Sequence, residues 1–248
     1  MSFENRGSPK LKPYLKKLDY SYALGIEPTL DLMKHQPDRV MKVLFRDGAD
    51  ENEPGWRDVM KFCVENRIEY EFNYKAIDKI SYIKTTSVIG IYHKYQPELD
   101  PSHNHVVLVN PMNMGNIGTV MRSMAAFGFH DLAIIRPGVD IFDPKAVRGS
   151  MGAFFQHRFE YFEDFEAYST RFGGHALYPF VLGGSANLVE VGIKSPYALI
   201  FGNETNGLGD EYKQVGTPVY IPHSVNVESL NLSVAASVAM FTLYSRAI

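Results

Sequence analysis

The sequence is poor in cysteine, since Cys63 is the only one among 248 residues. A single cysteine excludes an internal disulfide framework and favours a reducing compartment. No apolar run approaches the ~18–20 residues that span a bilayer, and the first residues lack the apolar core of a signal peptide. We therefore expect a cytoplasmic protein without a membrane segment, in which Cys63 is a small buried core residue.

The chain also lacks a basic excess, because its formal net charge is −3. A general polyanion-binding protein needs clustered lysine and arginine for phosphate contacts. The exception is an N-terminal arm over residues 1–17, which has Glu4 as its only acid and whose basic residues are Arg6, Lys10, Lys12, Lys16 and Lys17. The arm either touches phosphates locally or is a solvated terminus, and charge alone leaves both readings open.

Three familiar ligand-binding signatures are missing. A glycine loop follows a strand-like run, but it reads Gly115-Asn-Ile-Gly118 and not Gly-x-Gly-x-x-Gly, and no Walker Gly-Lys-Ser/Thr occurs. Dinucleotide and nucleoside-triphosphate binding are therefore weak candidates. His93, His103 and His105 lie close in sequence without acidic or cysteine companions in a zinc-binding spacing, so we expect hydrogen-bonded or surface histidines and no metal site.

Hydrophobic periodicity divides the chain into two α/β parts joined by a proline-containing linker at 97–104. The first part, 18–96, is predicted to be a small α/β sandwich with helices over 23–35, 56–66 and 75–80 and strands over 40–45, 68–74 and 87–92. We expect the strand over 68–74 to be half-buried, with Ile68, Tyr70, Phe72 and Tyr74 on its inner face.

The second part, 105–248, alternates strands with helices, which predicts a mainly parallel sheet. The predicted strands cover 106–109, 132–135, 198–201 and 219–221, and the predicted helices cover 116–127 and 232–244. Ligands bind at the carboxyl ends of strands in open α/β sheets. Three polar, mostly glycine-containing segments follow such strands and are expected to form one composite site.

The first segment runs from Asn113 to Arg122. Asn116 is expected to cap the following helix or to face the loop. Arg122 stands among apolar residues such as Val120 and Met124, so we expect it to be partly buried and to need a carboxylate or phosphate partner. The plainer alternative is a capping asparagine and a surface arginine.

The second segment, Phe201-Gly-Asn-Glu-Thr-Asn-Gly-Leu208, precedes a further glycine, Gly209. Its glycines would expose backbone N–H and C=O groups to a ligand, as recognition of an adenine edge requires. Glu204 is its only charge and is expected to hold Arg122 or Asn116. A tight turn with a solvent-facing glutamate is the alternative.

The third segment begins at Ile221-Pro222 and continues through Ser229-Leu-Asn-Leu-Ser233. Ser229 or Asn231 is a suitable cap for the last helix, and that local role is a strong alternative to a role in a ligand site. The helix that follows is rich in small residues, which favours close packing against other backbone.

Taken together and in order, these three segments resemble the motifs of the SpoU/TrmH family of SPOUT RNA ribose methyltransferases over residues 105–248. Arg148-Gly-Ser150-Met-Gly152 resembles the Ser-x-Gly segment of that family. The first part resembles, more loosely, the ribosomal-protein-like substrate-binding domain that often precedes this catalytic domain, notably in Tyr20–Gly25 and Val88–Tyr92.

The resemblance implies a parallel-sheet SPOUT domain with a deep trefoil knot that binds S-adenosylmethionine. It implies homodimers in which the arginine of the first motif faces the partner's cofactor, and methyl transfer to a ribose 2′-hydroxyl. The implied cofactor residues are Leu182, Gly183, Gly202, Ile221 and Leu230. The implied catalytic residues are Arg122, Asn116, Glu204, Ser229 and Asn231.

The first domain favours rRNA over tRNA as the substrate, because tRNA-acting relatives usually lack such a domain. Two other functions remain open from the sequence. One is a non-catalytic RNA-binding or ribosome-assembly protein that keeps the methyltransferase fold, and the other is a Rossmann-type oxidoreductase.

Overall fold

A computed structural model describes residues 11–247. The chain divides into two compact units, Met1–Lys94 and Tyr95–Ile248. Residues 97–104, predicted as a linker, therefore belong to the second unit, where Leu99 is buried. Of the basic side chains of the predicted arm, Arg6 and Lys10 lie outside the described residues.

The first unit is built on a mixed four-stranded sheet. Its strands are β1 (Tyr20–Leu24), β2 (Val40–Phe45), β3 (Glu69–Phe72) and β4 (Val88–His93), in the order β1-β4-β2-β3. β4 is antiparallel to β1 and β2, whereas β3 is parallel to β2. The helices are α1 (Ile26–His35), α2 (Trp56–Asn66) and α3 (Tyr74–Ile80), with a short 3-10 helix at Pro37–Arg39.

Helices cover both faces of this sheet. On one face, α1 and α2 pack on side chains such as Val43 and Phe45, and Cys63 is buried there as predicted. On the other face, α3 and residues 11–18 pack on side chains such as Leu44 and Ile89. This layering confirms the predicted α/β sandwich.

Two local predictions in this unit are wrong. Ala23 and Leu24 end a buried strand and do not begin a helix; α1 starts only after Gly25, whose φ of 109° suits glycine. The predicted strand over 68–74 is too long, because β3 covers only Glu69–Phe72 and Tyr74 already begins α3; on this edge strand Tyr70 and Phe72 contact Phe45 and are 42% and 46% exposed, so its aromatic face is half-buried as predicted.

The second unit contains a five-stranded parallel sheet, which confirms the predicted architecture. Its strands are β5 (His105–Val109), β6 (Asp131–Ile135), β7 (Arg158–Phe162), β8 (Ala176–Pro179) and β10 (Tyr197–Phe201), in the order β7-β6-β5-β10-β8. Two short strands, β9 (Ala186–Asn187) and β11 (Val219–Tyr220), pair in parallel beside it. The strands β7, β8 and β9 were not predicted.

The helices of this unit are α4 (Met114–Ala126), α5 (Pro144–Gly149), α6 (Phe165–Arg171) and α7 (Leu232–Ala247). α4 and α5 cross at glycines, because a Cβ on Gly118 would lie 2.7 Å from the carbonyl carbon of Gly149. Ser123 Oγ on α4 hydrogen-bonds Ser237 Oγ on α7 at 2.7 Å. These contacts hold α4 in place at the carboxyl edge of the sheet. The deep knot remains a prediction.

The opposite, amino edge of the sheet contains an ion pair whose carboxylate is buried. Arg158 donates two hydrogen bonds to the fully buried carboxylate of Asp131, from Nε at 2.7 Å and from Nη2 at 2.6 Å. Burial would raise the pKa of Asp131, but hydrogen bonds from Arg158, the Asp100 backbone and His103 outweigh it and lower the pKa. This edge is therefore a structural anchor, remote from the glycine-rich loops.

Within residues 11–247, no helix combines the length and apolar character needed to cross a membrane.

The first prediction concerns His105, which is fully buried at the same edge. Its Nε2 lies 2.9 Å from the carbonyl oxygen of Asp100 and its Nδ1 lies 2.9 Å from the Tyr168 hydroxyl, a pairing that a neutral ring satisfies by donating once and accepting once. Burial lowers the pKa of His105 to about 4. The unfolded chain therefore binds more protons than the folded one between about pH 4 and 6.5.

The free energy of unfolding should thus fall by up to roughly 3 kcal/mol as the pH drops through this window. His105→Gln should lower stability at pH 7 and flatten this acid dependence, measured by urea unfolding at several pH values. The matched control is His93→Gln, at an exposed histidine. An unchanged pH slope in His105→Gln would contradict the assignment.

Candidate active site

Three loops meet at the carboxyl edge of the parallel sheet. β5 leads into residues 110–113 and α4, β10 leads into residues 202–209, and β11 leads into residues 221–231 and α7. β5 and β10 are neighbours in the sheet. The loops of the first two motifs are therefore adjacent because their strands are paired.

Glu204 ties these two loops together. Its Oε1 accepts hydrogen bonds from the Asn113 backbone at 3.1 Å and from Asn116 Nδ2 at 3.0 Å, and its Oε2 accepts one from the Met112 backbone at 2.9 Å. Burial would raise the pKa of Glu204, but the hydrogen bond from Asn116 and those from backbone amides outweigh it and lower the pKa. The carboxylate is thus held ionised as an acceptor only.

Asn116 links this cluster to the third motif. Asn231 Nδ2 approaches Asn116 Oδ1 at 3.3 Å. Asn231 Oδ1 accepts hydrogen bonds from the backbone and hydroxyl of Ser233, at 2.9 and 2.7 Å, at the start of α7. Asn231 therefore caps α7 while its amide nitrogen reaches the first motif.

The cap of α4 differs from the prediction. Asn113 caps this helix, since its Oδ1 accepts hydrogen bonds from the backbones of Gly115 and Asn116. The Asn116 side chain is thereby left to face Glu204. Of the two expectations for Asn116, the structure shows the one in which it faces the loop.

Arg122 is exposed, so the prediction of a partly buried arginine is wrong. The buried residues Ile117, Val120, Met121 and Met124 occupy the inner side of α4. Successive helical residues are about 100° apart, so Arg122 projects away from that side. Within residues 11–247, Arg122 has no hydrogen-bond or ion-pair partner. Of the two partners expected for Glu204, the structure shows Asn116 and not Arg122.

A pocket of about 510 Å³ opens between the loops. All five residues that the family resemblance implied for the cofactor lie on its wall: Leu182, Gly183, Gly202, Ile221 and Leu230. Glu204 and Ser229 also line it, whereas the remaining implied catalytic residues do not. The predicted cofactor residues therefore lie together around one cavity.

Gly202 admits no other residue at its place in this wall. A Cβ there would overlap the backbone of Gly207 and Leu208. The loop folds back on itself, because Asn203 and Gly207 exchange two backbone hydrogen bonds of 3.1 and 2.9 Å. Gly207 has a φ of 66°, which favours glycine. Backbone, and not side chains, forms this part of the pocket.

Two residues that contribute to the site, Asn203 and Phe180, were not predicted from the sequence. Asn203 Nδ2 donates to the Asn110 carbonyl at 2.7 Å, a second link between the β5 and β10 loops. The ring of Phe180 stacks on that of Phe201 at 4.5 Å, at the edge of the pocket. The signal for Asn203 was its place beside Glu204; Phe180 follows a strand that was not predicted.

The described part of the chain, residues 11–247, contains no group of three or more histidine, cysteine, aspartate or glutamate side chains arranged to hold a metal ion.

The family match to known proteins lies within the second unit of the chain. A family model described as the SpoU rRNA Methylase family matches residues 103–241, more than half of the chain. A 23S rRNA (uridine(2479)-2′-O)-methyltransferase of Streptomyces viridochromogenes is 29% identical, over 55% of this chain and 50% of that protein. This chain thus spans about half the length of that curated relative.

Two further relatives differ in how much of the chain they match. A tRNA (cytidine(34)-2′-O)-methyltransferase of Methylovorus glucosotrophus is 26% identical, over 59% of this chain and 88% of that protein. The structure of an AdoMet-bound rRNA methyltransferase of Sinorhizobium meliloti superposes with a TM-score of 0.76 at 22% identity, covering 93% of this chain and 88% of that one. The latter match shows that the fold of nearly the whole chain is shared.

The second prediction concerns Glu204→Gln. A glutamine amide replaces one acceptor oxygen with a donor, which must then face Met112 N–H or the donors of Asn113 and Asn116. We expect a loss of about 1 kcal/mol or more in stability and looser residues 110–113, measured by thermal unfolding and amide hydrogen exchange. Glu190→Gln, at an exposed glutamate, is the control. Equal exchange of the Met112 and Asn113 amides in both variants would contradict the role of Glu204.

Proposed function

Because the chain belongs to the SpoU rRNA Methylase family, we propose that it transfers a methyl group from S-adenosylmethionine to a ribose 2′-hydroxyl of a structured RNA. The observation that carries this proposal is the pocket at the carboxyl edge. Loops of the second and third motifs form its wall, and Glu204 on that wall holds the loop of the first motif. A binding cavity joined to a polar cluster is the arrangement that group transfer requires.

The pocket fits S-adenosylmethionine in size and in the nature of its wall. About 510 Å³ lies within the usual range for small-molecule sites, about 300–1,000 Å³. The backbone left bare at Gly202 provides N–H and C=O groups for an adenine edge, and Leu182, Gly183, Ile221 and Leu230 complete the set proposed to hold the cofactor. When bound, its sulfonium centre supplies an already activated methyl group.

The residues of the chain then have to align the ribose and handle its proton. Glu204 positions Asn116, and Ser229 and Asn231 are proposed to orient the ribose beside it. Arginine is a poor base, since its pKa is about 12.5–13.8. We assign Arg122 to binding the target phosphate and stabilising the developing alkoxide, with the phosphate assisting proton removal.

A homodimer is part of this proposal. Arg122 projects away from the core of its own subunit and has no partner within the described residues. On the neighbouring helix α7, Val234, Phe241 and Tyr244 are 47%, 55% and 42% exposed. Exposed apolar side chains of this size mark association surfaces. We propose that a second copy covers α7 and that Arg122 then faces the partner's cofactor pocket, as the family resemblance implies.

We favour rRNA over tRNA as the substrate. The structure of the S. meliloti rRNA methyltransferase superposes on 93% of this chain and so on both units, whereas a solved structure described by the 2-OH methylation of C/U34 on tRNA superposes on 60% of it. The first unit is therefore the feature shared with an rRNA enzyme, and we propose that it binds RNA. The cytoplasm, where such RNA occurs, is the proposed location.

The first test is a calorimetric titration with S-adenosylmethionine, with NAD as the control ligand. The wild-type protein should bind S-adenosylmethionine at a single class of sites and should not bind NAD. Gly202→Ala should abolish binding because its Cβ overlaps the backbone of the loop, whereas Gly174→Ala, where a Cβ meets nothing within 4 Å, should bind normally. No binding by folded wild-type protein would leave a non-catalytic RNA-binding protein with this fold.

Arg122→Ala tests the catalytic assignment. Methyl transfer to RNA should fall by about 100-fold or more, because the developing alkoxide loses its charged partner. Affinity for S-adenosylmethionine should stay within a few-fold of wild type, since Arg122 is not in the pocket wall of its own subunit. Arg171→Ala, at an exposed arginine of the same unit, is the control. Loss of transfer and of cofactor affinity together would refute the role given to Arg122.

A further inference from the structure

The two helical layers of the first unit differ in charge. The layer formed by α1, residues 50–55 and α2 has seven acidic side chains (Glu27, Asp31, Asp50, Glu51, Glu53, Asp58 and Glu65) and three basic ones (Lys34, Arg57 and Lys61). The opposite layer, formed by residues 11–19 and α3, has five basic side chains (Lys12, Lys16, Lys17, Lys75 and Lys79) and two acidic ones (Asp19 and Asp78). The unit is thus polarised across its sheet, although the net charge of the chain is near zero.

The carboxylates nearest to the basic layer already have cationic partners. Lys42 Nζ lies 2.8 Å from Glu69 and 2.7 Å from Glu71, and the Lys42 side chain is only 13% exposed. Arg46 Nη2 lies 2.6 Å from Asp78. Arg46 therefore neutralises Asp78, whereas the single charge of Lys42 leaves a net charge of −1 on its cluster with Glu69 and Glu71, which the five lysines of the basic layer exceed.

A groove of about 480 Å³ lies on this basic layer. Leu11, Met41 and Ile91 form part of its lining. Its charged lining residues are Lys42, Lys75 and Lys79 against the carboxylates of Glu69 and Glu71, which gives the groove a net charge of +1. Lys75 and Lys79 are four residues apart, so they lie on the same side of α3. Both are exposed, and Lys79 Nζ approaches the Leu11 carbonyl at 3.4 Å.

We propose that this groove and its lysines bind the phosphodiester backbone of the RNA substrate. The inference rests on the proposed function and assigns the RNA contact of the first unit to one face. The positive charge of these lysines favours RNA as the ligand of the groove. Lysine binds phosphates, and it displaces counterions condensed on the RNA, whose release favours binding. The acidic layer of α1 and α2 repels RNA, so binding is one-sided.

The test compares two matched double variants of the full chain. Lys75→Gln with Lys79→Gln removes the groove lysines, and Lys34→Gln with Lys61→Gln removes two exposed lysines from the opposite layer. The probe is deproteinised ribosomal RNA, titrated at several salt concentrations. Lys12→Gln with Lys16→Gln serves as a second variant of the basic layer, and thermal unfolding checks that each variant is folded.

The groove variant should bind RNA about tenfold more weakly, and its slope of log K against log salt should fall in magnitude by about 2. The opposite-layer variant should bind as wild type does. Equal losses in the groove and opposite-layer variants, wild-type affinity in the groove variant, or no RNA binding by the wild-type protein would overturn the proposal.

The outcomes of this test and of the cofactor titration are separable. If the protein binds no S-adenosylmethionine but its RNA affinity depends on Lys75 and Lys79, the proposed activity is refuted and the proposed RNA surface is supported. If the groove variant methylates RNA as well as the wild-type protein at subsaturating RNA, the proposed activity is supported and the proposed RNA surface is refuted.

Discussion

The parallel pairing of β5 with β10 is the constraint on which the candidate site depends. Leu108 lies opposite Phe201 in this register, so both strands end at the same level. The loops that leave them are then close enough for one carboxylate, that of Glu204, to accept three hydrogen bonds from the neighbouring loop. A change in register or strand order would separate groups that are some 90 residues apart in the chain.

Backbone groups and side chains have different roles at this site. The pocket wall at Gly202 is made of main chain packed too closely for any Cβ, and such a surface is held by the fold and not by rotamers. The polar cluster of Glu204, Asn116 and Asn231 depends instead on side-chain hydrogen bonds that cross from loop to loop. The first arrangement suits the holding of a cofactor, and the second suits the positioning of a reacting group.

The two edges of the same sheet differ in how their charged side chains are paired. At the amino edge, the buried carboxylate of Asp131 is paired with the partly exposed guanidinium of Arg158, and this pair joins strands β6 and β7. At the carboxyl edge, Arg122 extends from α4 without a partner among the described residues. A buried charge needs its partner, because removing that partner leaves an unpaired charge away from water, whereas an exposed and unpaired charge is available to a ligand or to a second subunit.

Local patterning was sufficient for the main elements. The β-branched run Val106–Val109 and the apolar run Ala198–Phe201 predicted central strands, and the small-residue helix after Asn231 was predicted within a few residues. These elements follow from side-chain periodicity and burial, which neighbouring residues alone encode. The strand β7 was missed although Arg158-Phe-Glu-Tyr161 alternates polar and aromatic residues, and β8, a four-residue run of Ala-Leu-Tyr-Pro, is too short for its periodicity to identify a strand.

The order of residues along the chain was enough to identify the three motifs and their members. Their partners depend on the fold: Glu204 binds Asn116 and not Arg122, Asn113 and not Asn116 caps α4, and Asn231 both caps α7 and reaches Asn116. Each of these outcomes depends on which strand or loop is the neighbour in space. Strand order and helix orientation arise from contacts between distant segments, so no local pattern could contain them.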